Sequence, residues 1–314
     1  MLARIFRTTA LSLLFATQVP VITNAAPASK PADDSARYEI PFQYTDGHMI
    51  VVHGSIGGRR NLQFVVDFGT TVTLLDREFA SAEQPAGETL QVTHFSNNIT
   101  SAEVVVSQLE LGTMIIPNFR AYLMDLSQVP AIPQGTAGVI GLDLLKKQSV
   151  MVDFVERRLV FGFQSDGEHH VPLVKCEVGY AVDAQWKGTP VKLALSTGVE
   201  VVTLDQERMR AKPIKLNTLK QGTLSTNFTV TPVSYFETKD MRLSDLKLQG
   251  TGVLRKMSWP YAGDELDGFL PLLALNADRV IVDFDRGVLS WEGTKLAKAR
   301  NQQANVPVQS FQKR

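Results

Sequence analysis

The sequence predicts a mainly β protein folded as two similar lobes, and three observations carry that prediction. The first is an internal repeat. Residues 62–76, which contain Asp67-Phe68-Gly69-Thr70-Thr71, align without a gap on residues 191–205, which contain Ser196-Thr197-Gly198, at an offset of 129. Farther on, Gly138-Val139-Ile140-Gly141-Leu142 falls over Gly268-Phe269-Leu270-Pro271-Leu272, and residues 150–154 over 280–284, both at an offset of 130. Ordered blocks at one spacing argue for duplication, and a period of about 130 residues is domain-sized, far above the ~20–50 residues of repeat arrays. The second observation is periodicity: the repeated blocks are rich in Val, Ile and Phe and are punctuated by glycine-containing turns, the pattern of strands. The third is composition. With 44% hydrophobic and 20% charged residues in 314, the chain has apolar content enough for two cores.

The elements follow in order. Residues 49–53 and 61–66 flank Gly54-Ser55-Ile56-Gly57-Gly58 and read as a hairpin. Their repeats, residues 180–184 and 190–195, are joined through Gln185-Trp186-Lys187-Gly188. Residues 89–95 and 99–106 form a second hairpin around Ser96-Asn97-Asn98. Helical signal is sparse, with room for a turn or two at 76–83, 143–147 and 272–276. Strands that are apolar on both faces, as beside Asp67, belong at the centre of a barrel or sandwich. The lobes are expected at 38–165 and 171–296, with 297–314 as a polar tail. His169-His170 between them reads as a solvated linker, because adjacent residues on an extended segment point to opposite faces.

The N-terminus reads as a targeting signal. Arg4 and Arg7 precede an almost uncharged apolar run over 8–22, followed by the small residues Thr23-Asn24-Ala25. Residues 1–25 are therefore expected to be a signal peptide. The alternative is a retained anchor, although the run is short of the ~20 residues of a membrane-spanning helix. Residues 26–37 read as a flexible leader. Export to a bacterial periplasm, or secretion, is expected, with no membrane span after cleavage. The single cysteine, Cys176, excludes an intrachain disulfide and any cysteine-based metal cluster. It reads as a small apolar residue.

Thirty-two basic side chains balance thirty-two acidic ones, and no basic run makes a phosphate stripe, so nucleic acid is not an expected partner. No metal and no cofactor are expected either. The chain has no Gly-x-Ser-x-Gly elbow, no phosphate loop and no His-Glu-x-x-His, and Asp67-Phe68-Gly69 stands without the other kinase motifs.

The chemistry concentrates at Asp67, a carboxylate placed at a glycine-permitted turn between two buried strands. Read in isolation, Asp-x-Gly is a β-turn. Read with its flanking strands, the later hydrophobic-hydrophobic-Gly element and the repeat, the pattern resembles the aspartic peptidases of the pepsin and retropepsin type over residues 40–292. That resemblance implies two β-barrel-like lobes facing a central cleft, each giving one Asp-Thr/Ser-Gly loop. It also implies a flap over an extended peptide, here the hairpin with His94, Phe95 and Asn98. Asp67 is then the candidate catalytic residue, with Phe68, Gly69, Thr70, Ser196, Thr197, Gly198, His94 and Phe95 as candidate binding residues. Pro271 stands where the family has Gly.

The second loop departs from the family. Ser196-Thr197-Gly198 has a hydroxyl in place of the second carboxylate, whereas the family mechanism needs two carboxyl groups that share one proton and divide the tasks of base and acid. Of the loop hydroxyls that brace the pair, Thr197 keeps one and Phe68 has none. Asp264, Glu265 and Asp267 are candidate replacement acids, and Asp153 and Asp283 read as turn-forming structural residues. The leading expectation is a catalytically impaired, exported peptidase-like protein that binds an extended peptide or another envelope ligand in the cleft. The alternatives are an active endopeptidase with an unorthodox second group or a homodimeric pairing of Asp67 loops, and a scaffold whose cleft Phe68 plugs.

Overall fold

A computed structural model describes residues 37–293, apart from 46, 80–83, 95–96, 130–131, 177, 215–217, 226–229 and 258–265. The signal, most of the leader, the C-terminal tail, Phe95, Asp264 and Glu265 lie outside the described residues, as does the side chain of His94.

The first repeat holds ten strands: β1 (Tyr38–Thr45), β2 (Met49–Ile56), β3 (Arg59–Val66), β4 (Leu74–Asp76), β5 (Gln84–His94), β6 (Asn97–Leu111), β7 (Met114–Met124), β8 (Thr136–Ile140), β9 (Val150–Asp153) and β10 (Arg158–Phe161). A one-turn helix, α1 (Leu142–Leu145), follows β8. Strand β2 pairs with β6 as well as β3, which closes the path β2-β3-β8-β4-β7-β6 into a barrel. The β2–β3 hairpin is longer than its sequence pattern suggested. Gly54 and Ile56 continue the strand through a bulge, and the turn is only Gly57–Gly58, both at positive φ.

The second half repeats the plan: β11 (His169–Pro172), β12 (Val174–Cys176), β13 (Gly179–Trp186), β14 (Thr189–Ser196), β15 (Thr203–Asp205), β16 (Thr218–Ser225), β17 (Val230–Glu237), β18 (Met241–Leu243), β19 (Leu246–Lys247), β20 (Thr251–Arg255), β21 (Gly268–Pro271), β22 (Arg279–Asp283) and β23 (Val288–Glu292). Its sheet runs β16-β17-β20-β15-β21-β14-β13-β18-β19. A short helix, α2 (Gln206–Arg210), follows β15 where Asp205 caps the Arg208 amide. The expected helix at 76–83 is absent from its described part, where 77–79 form a turn. The expected turn at 272–276 is a 3-10 turn, Leu272–Leu275, closed by left-handed Asn276.

The two lobes are joined by one sheet, in the order β11-β23-β22-β9-β10-β1. Its centre is the antiparallel pair of β9 and β22, with Val152 opposite Val280 and Met151 opposite Ile281. The order is symmetric about that pair, as duplication requires. Even the crossing of chains is repeated: Phe42 N donates to Arg157 O and Leu173 N to Gly287 O, each at 2.8 Å. His169 and His170 therefore belong to a strand of the shared sheet, not to a solvated linker. They stand opposite Trp291 and Ser290, and His169 stacks on Trp291 with 5.7 Å between ring centres.

One continuous core runs through both lobes and the shared sheet. It includes Phe64, Phe68, Trp186, Phe236 and Trp291, each at most 2% exposed. Truncating an aromatic residue of this kind to Ala costs about 3–5 kcal/mol, so the core is what fixes the relative placement of the lobes.

Candidate active site

Parallel strand pairs carry both loops to the same place. β3 pairs with β8 through Val66 and Ile140, and β14 with β21 through Ser196 and Pro271. Each loop thus leaves a central strand of its own lobe, and the Asp67 amide donates to Ile140 O at 3.0 Å. The close passage of the neighbouring strands requires glycine. A Cβ on Gly138 would stand 2.6 Å from Leu74 O, and one on Gly268 2.1 Å from Thr203 O.

Asp67 and Ser196 meet at the junction. The Ser196 hydroxyl donates to Asp67 Oδ1 at 3.0 Å. The same oxygen accepts from the amides of Gly69, at 2.9 Å, Thr197, at 2.9 Å, and Gly198, at 3.0 Å. Oδ2 accepts from Thr70 Oγ1 at 2.7 Å. Every neighbour donates, so the pocket suits an acceptor-only carboxylate. Within its own loop Ser196 Oγ accepts from the Gly198 amide at 3.0 Å, just as Asp67 Oδ1 accepts from Gly69. The hydroxyl therefore occupies the position of a carboxylate oxygen in the second loop.

Thr197 is the cross-brace. Its hydroxyl donates to Val66 O at 2.7 Å and accepts from the Phe68 amide at 3.3 Å. Phe68 has no hydroxyl with which to return that contact. Its ring is 1% exposed and stacks on Phe284 with centres 6.3 Å apart. This corrects the expectation that Phe68 lines or plugs a cleft: a turn between two buried strands directs this side chain inward, and an apolar ring finds the core. Asp67, Ser196 and Thr197 are 8%, 4% and 4% exposed.

The remaining candidates lie apart from this cluster. Asp267 accepts from the Lys192 amide and pairs with Lys212, both at 2.9 Å, which makes it a strut of the second lobe. Asp153 and Asp283 each accept from turn amides and pair with Arg279 and Arg286. The β5–β6 hairpin that carries His94 pairs as far as His94 opposite Asn97.

Asp143 escaped the sequence reading. Its carboxylate accepts from Thr73 N, at 2.9 Å, and Thr73 Oγ1, at 2.7 Å, while Thr73 Oγ1 in turn accepts from the Gly141 amide at 3.1 Å. With Leu142 N on Thr70 O and Asp143 N on Thr71 O, this fixes the segment immediately after Asp67. Burial pushes the Asp143 carboxyl above its ordinary range, against the opposing pull of the bonds from Thr73 and Leu144. The available signal was asymmetry, since the repeat places Leu273 opposite Asp143 and Val202 opposite Thr73.

Among the described residues no three His, Cys, Asp or Glu side chains gather as a metal site, and no helix is long and apolar enough to cross a membrane. Residues 52–144 match the family model described as aspartyl protease. No curated protein matches significantly. Among solved structures, the aspartic proteinase from Irpex lacteus is similar at a TM-score of 0.51 and 13% identity, covering 81% of this chain and 96% of that one. The structure titled edgp is similar at 0.52 and 11% identity, covering 86% and 98%. The junction of two repeated β lobes at Asp67 and Ser196, the match of residues 52–144 and these likenesses agree, and the chain has the two-lobed fold of the aspartic proteinases.

Proposed function

We propose that this chain is an exported, non-hydrolytic member of the aspartic peptidase fold that holds an extended peptide or another envelope ligand between its lobes. The observation that carries this reading is Ser196 Oγ standing 3.0 Å from Asp67 Oδ1, in the place of a second carboxylate. Peptide hydrolysis by this fold divides two tasks between paired carboxyl groups: one takes a proton from the attacking water while the other, protonated, supports the substrate carbonyl. Ser196 already donates its proton to Asp67, and a serine hydroxyl does not act as an acid in the working range. Asp67 Oδ1 is filled by donors, while Oδ2 accepts from Thr70 Oγ1, so a water held by this carboxylate would rest on Oδ2 with no second carboxyl group to support the substrate carbonyl. Bonding of β9 to β22 within one chain favours a site built from one molecule over a homodimeric pairing of Asp67 loops.

Incubation of the purified chain with a diverse peptide library from pH 3 to 8 should give no cleavage and saturable retention of a subset of peptides. Cleavage that disappears in Asp67→Asn would overturn this. The Ser196→Asp substitution restores the missing carboxylate next to Asp67, and the Thr197 brace is already in place, so it should confer acid-dependent cleavage or pepstatin binding. Export is tested by cell fractionation and N-terminal sequencing, with a mature chain beginning at Ala26 expected.

A further inference from the structure

We infer that the outer end of the second lobe carries a binding site for a ligand with several phosphate or similar oxyanion groups, separate from the junction of Asp67 and Ser196. A concavity of about 520 Å³ opens there, lined by Gln185, Lys187, Gly188, Lys239, Asp240, Arg242 and Lys247. Its volume lies within the range of small-molecule sites. Four of its seven lining residues are cations, in a chain whose total charge is zero.

The backbone beneath these cations is fixed. Lys187 and Gly188 form the β13–β14 turn, both at positive φ. The Lys187 amide donates to Asp240 O at 3.1 Å, which ties that turn to the β17–β18 connection. Thr238 is anchored to Gly250 O through its amide and its hydroxyl, both at 3.1 Å. Trp186, Met241 and Leu243 are buried below. The rim is therefore preorganised, which lowers the ordering cost of binding.

The charges themselves are arranged against stability. Arg242 on β18 is directly opposite Lys247 on β19, both exposed. Like charges directly opposite in an antiparallel pair are destabilising. Asp240 stands 3.9 Å from Lys187, and Glu237 contacts Lys239. Arg242 and Lys247 have no acidic partner among the described residues, so an anion is the group that would relieve their repulsion, and Arg offers a planar fork suited to phosphate oxygens.

The first lobe has the same joint with a different set of charges. There the Gly57 amide donates to Gln108 O at 3.0 Å, matching Lys187 on Asp240. The side chains at that joint are Ser55, Gln108 and Glu110, with the Ser55 hydroxyl and the Gln108 amide both donating to Glu110. The cations of the first-lobe turn are Arg59 and Arg60, and Arg59 is engaged by the carbonyls of Glu78 and Phe79, so the duplicated scaffold does not demand the facing pair of Arg242 and Lys247, which belongs to the second lobe.

The test is titration of the intact chain with inorganic tripolyphosphate by calorimetry. Saturable binding that weakens as salt rises is expected, and Arg242→Ala with Lys247→Ala should weaken it by about tenfold or more, the equivalent of one lost charge-assisted contact. Removal of two exposed cations elsewhere, Arg60→Ala with Lys146→Ala, should leave it unchanged. Vesicles of phosphatidylglycerol with phosphatidylcholine distinguish a lipid headgroup from a soluble ligand: co-sedimentation lost in the double variant assigns the lipid, and tripolyphosphate binding without co-sedimentation assigns the soluble form. The Lys247→Glu substitution should raise Tm slightly while abolishing binding, which separates loss of the site from loss of the fold. Absence of tripolyphosphate binding, or an equal loss in the control variant, would overturn the inference.

Discussion

The two lobes descend from one plan, yet they have kept different parts of it. Asp76 and Asp205 occupy matched positions and do matched work: Asp76 accepts from the amides of Glu78 and Leu126, and Asp205 from those of Arg208 and Met257. Gly138 and Gly268 permit the same close passage of strands. At the loops the match ends. The first lobe has Asp67, Thr70, Thr73, Gly141 and Asp143 in one connected network, whereas the repeat places Ser196, Val199, Val202, Pro271 and Leu273 at the corresponding positions. Among the described residues the backbone bonds from Leu142 and Asp143 to Thr70 and Thr71 have no counterpart from Leu272 and Leu273. Residues that hold strands together were retained in both lobes, and residues that hold and serve a carboxylate were retained in one. The second loop now works as a donor cradle for the first.

The largest effects should fall on what the lobes share. Gly138→Val and Gly268→Val each force a side chain against strand backbone, and each should cost about 3 kcal/mol or more in urea unfolding. Similar losses in both lobes would support the equivalence, and tolerance in the second would show that its strands have relaxed. Next, Phe68→Thr, which puts a hydroxyl beside Asp67 in the first loop, should destabilise by about 3 kcal/mol, because the stack on Phe284 is lost from a packed core.

Smaller effects separate the loops. Asp67→Ala strands several inward-facing amides and should cost about 2–3 kcal/mol, whereas Ser196→Ala removes one donor and should cost about 1 kcal/mol. Equal costs would contradict the picture of a carboxylate held by a passive cradle. The smallest effect is a pH dependence specific to the first lobe. The Asp143 carboxyl is raised in the folded state, so the folded chain holds that proton more tightly than the unfolded one. Its contribution therefore favours folding on the acid side and is lost as pH rises from the ordinary aspartate value of 3.8 through the raised folded value. The stability difference between Asp143→Asn and the natural chain should follow this trend across the acid range, and a difference independent of pH would remove Asp143 as its source.

Much of the fold is legible in the sequence because strand pairing in a duplicated protein is written twice. The offset of 129 between Asp67 and Ser196 is already the statement that their turns are equivalent, and the two Gly-containing blocks mark the strands beside them. The direction of Phe68 is less accessible. Its neighbours in the chain are a carboxylate and a glycine of a turn, which says nothing of Phe284, 216 positions away and brought beneath it by the shared sheet. The histidine pair misleads for a related reason: alternation shows that two adjacent side chains diverge, but not that Trp291 waits on one side. Asp143 was hidden because an acidic residue in the first turn of a helix is commonplace, and only folding brings Thr73 to it.

The sequence by itself determined the duplication, the strand-rich character of both lobes, and the replacement of the second carboxylate by Ser196, since each is a matter of residue type and spacing along one chain. The tertiary structure alone decided that Ser196 donates to Asp67, that Thr197 bridges to the strand end at Val66, that Phe68 belongs to the core, and that four cations converge at the far end of the second lobe. These depend on the angle at which two lobes pack, which is set by the summed burial of side chains from the whole chain and is not encoded in any local pattern.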